Sequence, residues 1–364
     1  MRRILYLDRF RFLAVTFAIF AHVLIKHSVA ESELQAVGLW LTLATRTATP
    51  ALLVILGIMV AIVYGPRFGD EPTRTSARIL RRSLQCYAAF VVVVLTGFAA
   101  GHQDLETALL ALPFLARVSN GTIFQLYVLL LPATIGLLFL RERYGAAGLV
   151  AALLAVWLAS PALDALEGPW PDILSVPGSL VFGLGGEWGP SAFHGLSLVA
   201  FGMLLGATIV GTGGVRRGHA IGASAVALGA LLVIALDVIR IGPQSFAGSI
   251  VHFDIYRGTN ALQYYAFGIV SVLVLLAACR IVSPHLPERP LAPIDRIGSL
   301  TLTYFLLGEI LVLVLPDPPI VALWQLAATA VIHIGLAGAL TLAIHRLLEN
   351  RRSRVSSLRG SARS

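Results

Sequence analysis

Residues 51–64 read ALLVILGIMVAIVY, and no charged residue stands between Arg46 and Arg67. Similar apolar runs recur along the chain, many of them about as long as the roughly 20 residues that a helix needs to cross the hydrocarbon core of a bilayer. Hydrophobic residues make up 57% of the 364 residues and charged residues 13%. Soluble domains have about a quarter charged residues. The sequence therefore predicts an all-α, polytopic integral membrane bundle.

Ten apolar runs predict ten transmembrane helices, which form a single domain over residues 1–348. The remaining residues, 349–364, are basic and rich in Ser, a composition that is typical of a disordered tail. Gly202 and Gly206 are four residues apart in the sixth run, a spacing that predicts close packing against another helix. The ten predicted spans cover residues 10–28, 36–64, 83–101, 122–140, 146–163, 193–211, 219–239, 261–283, 299–315 and 320–346.

The basic residues of the connecting segments indicate how the chain crosses the membrane. Connections rich in Arg alternate with connections that are poor in it, and residues 161–192 contain four acidic residues and neither Lys nor Arg. By the positive-inside rule, this alternation predicts an even number of spans with both termini in the cytoplasm. The net charge of +8 then reflects topology, and no nucleic acid is expected as a partner. A single bundle without an organellar targeting signal favours the plasma (inner) membrane of a bacterium.

Ionisable residues inside the predicted spans are candidates for function, because such side chains in a bilayer usually face a partner, a cavity or a substrate path. Asp8, Arg11 and His22 lie on the first span. Eleven residues, almost three helical turns, separate Arg11 from His22, so both side chains project from the same face. Asp8 is one turn before Arg11 and is placed to pair with it. Asp237 and Arg240 are also one turn apart and predict a second local pair.

The first span resembles the first helix of the membrane acyltransferase 3 family. Residues 7–14, LDRFRFLA, together with His22 match that family's arrangement of an Arg, ten intervening residues and a His. The basic stretch 78–82, RILRR, is similar to the segment that leads into the family's third helix. Residues 298–304, GSLTLTY, look like the start of a late helix of the family.

The chain also differs from the family at several positions. Phe12 stands where a Gly commonly follows the family's Arg, and Gly57 keeps a second-helix Gly whose neighbouring Ser is lost. Glu309 stands near the place where a late His is common. Within the superfamily, residues 63–65 and 125–130 look closer to the branch that succinylates periplasmic glucans.

The resemblance implies that the protein transfers an acyl group, acetyl or succinyl, to a hydroxyl of an extracytoplasmic glycan or lipid-linked sugar. The donor is expected to be a cytoplasmic acyl-CoA, which acts as a co-substrate rather than as a permanently bound cofactor. In this interpretation His22 is the base that takes the hydroxyl proton. Arg11 is its partner on the same helix face, and Asp8 accompanies Arg11.

The donor and the acceptor each have candidate residues. Arg78, Arg81 and Arg82 are expected to bind the phosphates of the donor, because guanidinium groups match phosphate oxygens. No metal ligands are expected. The candidates on the acceptor side are Arg46, Glu309, His333, Trp170 and Trp188.

Several alternatives stay open. The three arginines at positions 78, 81 and 82 are equally consistent with anchors that bind anionic lipid, and Arg11 is consistent with a residue that only neutralises Asp8. A transporter or flippase that uses the buried ionisable residues as a relay is the second functional hypothesis. Transmembrane N-acetylation of an amino sugar and a non-catalytic subunit are two further hypotheses.

Overall fold

A computed structural model describes residues 4–26, 31–118, 120–165, 172–186, 189–316 and 323–361 of the chain. The regular secondary structure of these residues is helical, as the sequence predicts. The main helices are α1 (Leu5–Lys26), α2 (Glu31–Arg46), α3 (Ala48–Met59), α4 (Gly65–Phe68), α5 (Pro72–Ala99), α6 (Leu105–Ala111), α7 (Thr122–Asp164), α8 (Asp172–Phe182), α9 (Ala192–Val210), α10 (Gly213–Ile241), α11 (Pro243–Val251), α12 (Leu262–Val282), α13 (Glu288–Ser299), α14 (Thr301–Val314) and α15 (Leu323–Ser361).

Contacts between these helices group them into two units. The terminal unit combines residues 1–31 with residues 276–364, so that α1 packs with α13, α14 and α15. The central unit comprises residues 32–275 and contains α2 to α11 with most of α12. The single domain over residues 1–348 stays a prediction.

Within the described residues, seven helices are long and apolar enough to cross a membrane. The number becomes eight if α13 and α14, which are bent by 83° at their junction, are counted as one broken span. These helices fit a multi-pass protein in a lipid bilayer. The number of ten spans stays a prediction.

Two features account for the difference between the numbers of spans. Residues Thr122–Asp164 count once among the seven, although they form two helices that meet at a kink, where the sequence analysis places two spans. Their backbone leaves the helical conformation at Gly145, with φ 62° and ψ −139°, between the two predicted spans. The helix α1 has three charged residues near its start, among them Asp8 and Arg11, which make it less apolar than an ordinary span.

Glycines allow α3 and α9 of the central unit to pack closely. A Cβ atom on Gly202 would lie 2.1 Å from the carbonyl oxygen of Val54, and one on Gly206 would lie 2.7 Å from that of Ile58. Only residues without a side chain permit backbones to approach this closely. The packing role predicted for Gly202 and Gly206 is therefore confirmed.

In the terminal unit, α1 is held against α13 by charge and by close backbone contact. Arg9 donates hydrogen bonds to both carboxylate oxygens of Asp295 and to the carbonyl oxygen of Ser283. Both side chains of the Arg9–Asp295 ion pair are buried. Gly298 allows α13 to approach the backbone of Asp8, because a Cβ atom there would lie 2.0 Å from the Asp8 carbonyl oxygen. These contacts fix the start of α1.

The last helix is longer than expected. We predicted a disordered tail from residue 349, whereas α15 continues to Ser361. The physical reason is that residues 349–361 contain no proline, and their Arg, Leu and Glu residues have favourable helix propensities.

Candidate functional site

The terminal unit brings His22 of α1 to Glu309 of α14. The Nδ1 atom of His22 lies 2.7 Å from a carboxylate oxygen of Glu309. Glu309 is fully buried, whereas the His22 side chain keeps 28% of its surface exposed. A buried carboxylate therefore stands behind an imidazole that has an accessible side.

Neighbouring residues explain why these two side chains meet. Gly308, next to Glu309, leaves room for Ile19, which precedes His22 by one turn; a Cβ atom on Gly308 would lie 2.5 Å from the Ile19 side chain. Lys26, one turn after His22, donates hydrogen bonds to the carbonyl oxygens of Val312 and Leu315 at the end of α14. A cation at a helix C-terminus is favourable there. Contacts on both sides of His22 thus hold α1 on α14.

The His22–Glu309 contact has the distance of an ion pair without the geometry of a hydrogen bond. Among the described residues, neither carboxylate oxygen of Glu309 has a hydrogen-bond partner, and His22 Nδ1 has none. A buried carboxylate without hydrogen bonds is costly unless a cation lies close to it. His22 is the ionisable group that faces this carboxylate at ion-pair distance.

The other two residues of the predicted catalytic set also pair. Arg11 Nη1 lies 3.5 Å from a carboxylate oxygen of Asp8, and both side chains are largely buried. The predicted local pair is confirmed. The continuous helix α1 places Arg11 and His22 about 16 Å apart along one face, because each residue adds about 1.5 Å.

An aromatic contact that the sequence analysis did not assign to the site lies between these residues. The ring of Phe12 stacks on that of Tyr304 of α14, with centroids 5.6 Å apart. The Tyr304 hydroxyl, buried in the unit, shares a hydrogen bond with Thr16 of α1 at 3.1 Å. Phe12, which departs from the family pattern, thus has a packing partner. Helical spacing places Phe12 and Thr16 one turn apart on the same face of α1, but it does not identify the partner residue.

The remaining candidates of the terminal unit are not joined to this pair. His333 of α15 is buried, and its Nδ1 atom lies 2.8 Å from the Thr329 carbonyl oxygen of its own helix. Within the described residues it makes no hydrogen bond to Glu309 or His22. His333 therefore remains a candidate only by its burial.

The candidates for donor binding belong to the central unit. Arg78, Arg81 and Arg82 lie on the first half of α5 at spacings that place them on neighbouring turns, and Arg78 and Arg81 are exposed. Arg82 donates a hydrogen bond to Gln85. Exposed guanidinium groups at this spacing are accessible to phosphate groups and to lipid headgroups alike.

The acceptor-side candidates of the central unit have different outcomes. Arg46, the last residue of α2, is half-buried and donates a hydrogen bond to the Val251 carbonyl oxygen at 2.7 Å. Trp170 and Trp188 lie outside the described residues. Asp237, an intramembrane polar residue, pairs with Arg240 at 2.6 Å, so the second predicted local pair is confirmed.

The structure also shows a buried histidine that the sequence analysis did not single out. His194 of α9 lies with its Nδ1 atom 2.8 Å from the Ser191 hydroxyl and its Nε2 atom 3.0 Å from the Ser160 hydroxyl of α7. Trp157 and Tyr265 pack against the same ring. Because both ring nitrogens have partners, this histidine joins α7 to α9 and is a structural residue.

No protein-family model matches the chain. A comparison with curated proteins finds no match either. The resemblance of the first helix to the acyltransferase 3 family therefore stays a prediction, and the function has to be argued from the residues themselves.

Proposed function

We propose that this protein is a membrane O-acyltransferase, which moves an acetyl or succinyl group from a cytoplasmic donor such as acyl-CoA to a hydroxyl of an extracytoplasmic glycan or lipid-linked sugar. The observation that carries the proposal is the contact of 2.7 Å between His22 and the buried Glu309. A base that is backed by a carboxylate is the arrangement that activates a hydroxyl nucleophile. The distribution of arginines favours ten spans, with both termini in the cytoplasm of a bacterium.

In the proposed reaction, one proton transfer accompanies the attack of the hydroxyl and a second accompanies the departure of the thiolate. The second ring nitrogen of His22, Nε2, takes the proton of the acceptor hydroxyl while the hydroxyl oxygen attacks the thioester carbonyl carbon. The carbon–sulfur bond then breaks, and the leaving thiolate takes the proton from the imidazolium. The products are the acyl ester and free CoA. The Glu309 carboxylate stabilises the imidazolium between the two steps.

Two groups of arginines have supporting roles in the proposal. Arg11, held by Asp8, places a fixed positive charge on the same face of α1 as His22. The exposed arginines of α5 are proposed to bind the phosphates of the donor, because guanidinium forks bind phosphate oxygens in pairs.

The test is acyl transfer from labelled acyl-CoA to membrane glycans in vesicles that contain equal amounts of inserted protein. We expect His22→Ala to lower the rate by about a hundredfold or more, the usual effect of losing a general base. His285→Ala is the matched control, since His285 is exposed, and it should retain the rate. Transfer that persists without His22 would remove the mechanism.

A transporter or flippase is the second candidate, because a buried carboxylate next to a histidine also suits a proton relay in a membrane. The two functions differ in the covalent change that they cause. If wild-type vesicles transfer no label from any of a panel of acyl donors, and proteoliposomes instead show glycan movement that depends on Glu309, the transporter takes first place.

A further inference from the structure

Arg141 of α7 is a half-buried cation whose guanidinium group has no hydrogen bond in the part of the chain that the structure describes. Among the same residues no carboxylate lies at ion-pair distance from it, and its neighbour Glu142 acts on it only electrostatically. The Glu142 carboxylate lies instead against Gly69, where a Cβ atom would be 2.8 Å from Oε1. A half-buried charge in a membrane protein is costly unless water or a ligand satisfies it. The donors of Arg141 are thus available to a ligand.

A glycine of α4 gives the guanidinium group its place. A Cβ atom on Gly65 would lie 2.0 Å from Arg141 Nη1, so the guanidinium group rests directly on the main chain of this glycine. Gly65 follows the π-helical turn Val60–Tyr64 and is itself buried. The close approach limits the conformations of the Arg141 side chain. A side chain that is positioned in advance loses less entropy when it binds a ligand.

The surroundings of Arg141 carry an excess of positive charge. Phe68, the last residue of α4, packs edge-on against Phe139 of α7, with ring centroids 4.8 Å apart. The connection from α4 to α5 therefore lies beside Arg141. Residues 65–82 and 139–143 together contain seven arginines and three acidic residues. Such a surface attracts ligands that carry more than one negative charge.

We propose that Arg141, resting on Gly65, binds a phosphate group of an anionic ligand. A guanidinium group binds two phosphate oxygens through paired, charge-assisted hydrogen bonds. A phosphate monoester or a diphosphate also supplies the several negative charges that the surrounding arginines attract. Both soluble ligands and lipid headgroups contain such groups. The inference does not rest on the proposed acyl transfer, because Arg141 binds the phosphate whatever reaction follows.

The test measures the binding of two phosphate-bearing probes to the purified full-length protein in detergent at constant ionic strength. Inorganic pyrophosphate, titrated by calorimetry, represents a soluble ligand, and phosphatidic acid, counted by native mass spectrometry, represents a lipid. We expect saturable binding of at least one probe, weakened about tenfold or more in Arg141→Gln, which corresponds to about 1.4 kcal/mol. Arg143→Gln is the matched control, because Arg143 is exposed and carries the same charge two residues away. Its affinity should equal that of the wild type.

Gly65→Ala tests the geometry of the site without a change of charge. The added Cβ atom would occupy the place of the Arg141 guanidinium group. Because the end of an arginine side chain is flexible, we expect this variant to unfold at the same temperature as the wild type. It should nevertheless bind the probe about as weakly as Arg141→Gln does.

The two probes distinguish the sources of the phosphate. Loss of pyrophosphate binding in Arg141→Gln identifies a soluble ligand, and loss of phosphatidic acid binding identifies a lipid headgroup. Absence of saturable binding of both probes to the wild type overturns the site. Equal weakening in Arg141→Gln and Arg143→Gln also overturns it, because net charge alone would then explain the binding. Wild-type affinity of Gly65→Ala would overturn the proposed geometry.

Thermal unfolding without ligand shows whether Arg141→Gln is folded. If it is not, Gly65→Ala decides by the same comparison with Arg143→Gln. Because no turnover is measured, failure of acyl transfer leaves this result unaffected.

Discussion

Arg9 and Asp295 form a buried ion pair at 2.9 Å although 286 residues separate them in the sequence. Removal of one partner leaves a buried charge without compensation. We therefore expect Asp295→Asn to lower the free energy of unfolding by about 3 kcal/mol, measured by thermal or denaturant unfolding in detergent. Glu71→Gln breaks an exposed pair with Arg74 and should cost less than about 1 kcal/mol. Equal decreases in the free energy of unfolding of both variants would contradict a buried, stabilising Arg9–Asp295 ion pair.

The His22–Glu309 contact predicts that the two residues act as one catalytic group. Each of His22→Ala and Glu309→Gln should lower the rate of acyl transfer, and the double variant should be no slower than His22→Ala alone, because residues that act together are not additive. Glu106→Gln is the control for the carboxylate, since Glu106 is exposed. Losses that multiply in the double variant would show that Glu309 acts separately from His22.

The close packing of α3 and α9 predicts opposite effects of the same substitution at two glycines. Gly202→Ala forces its Cβ against the Val54 carbonyl oxygen, which would lie 2.1 Å away, and should destabilise the protein by about 1–3 kcal/mol. Gly229→Ala meets no heavy atom within 4 Å and should stabilise α10 by about 0.5–1 kcal/mol. Thermal unfolding of the two variants measures this difference. Destabilisation of the same size at both positions would argue against the helix contact.

The stacking of Phe12 on Tyr304 predicts that loss of either ring lowers the free energy of unfolding modestly. Phe12→Leu keeps the apolar volume and loses the aromatic contact, which is worth about 0.5–1.5 kcal/mol. Tyr304→Phe keeps the contact and loses only the hydrogen bond to Thr16. A double-mutant cycle of Phe12→Leu with Tyr304→Leu, in which each variant removes one ring, measures the contact itself. A coupling energy of zero in that cycle would show that the rings lie together without stabilising each other.

A helix cap outside the spans predicts a dependence on pH. Asp104 accepts a hydrogen bond from the Thr107 N–H at 2.7 Å at the start of α6, and this bond, together with one from the Thr107 side chain, holds the pKa of Asp104 below its usual range. A lowered pKa in the folded state stabilises the cap above the unfolded pKa, and the stabilisation is lost as pH falls through the folded pKa. Hydrogen exchange of the α6 amides should therefore be slower in the wild type than in Asp104→Ala at neutral pH. The two proteins should converge in acid, and a difference that persists there would contradict the ionised cap.

Local patterns of the sequence predicted the local parts of the structure. The Asp8–Arg11 and Asp237–Arg240 pairs lie within one helical turn, so helical spacing alone identifies both partners. The contact between His22 and Glu309 joins helices from opposite ends of the chain. Periodicity tells which face of α1 holds His22, but it contains no information on which distant helix covers that face. For this reason the sequence identifies Glu309 as a candidate residue but does not identify His22 as its partner.

The same reasoning explains the difference in the number of spans. Apolar runs and an arginine-rich connection separate residues 122–140 from residues 146–163, and the structure has its kink at Gly145 between them. The number of spans is smaller because residues 122–163 count once in it. The charged start of α1 also lowers the number of spans, because its charges make the helix less apolar. The pairing of Arg9 with Asp295, which offsets one of these charges, cannot be inferred from the sequence.

The pairing of the first helix with the last ones has a consequence for biosynthesis. Asp295, the partner of Arg9, is synthesised 286 residues later, which takes roughly 15–60 s at the usual rates of 5–20 residues per second. During that time the ribosome synthesises the whole of the central unit, and Arg9 has no contact with Asp295. A chain truncated before α13 therefore lacks Asp295, and the buried guanidinium of Arg9 has no carboxylate partner from α13 in it. The buried ion pair of the first helix thus forms only after α13 has been synthesised.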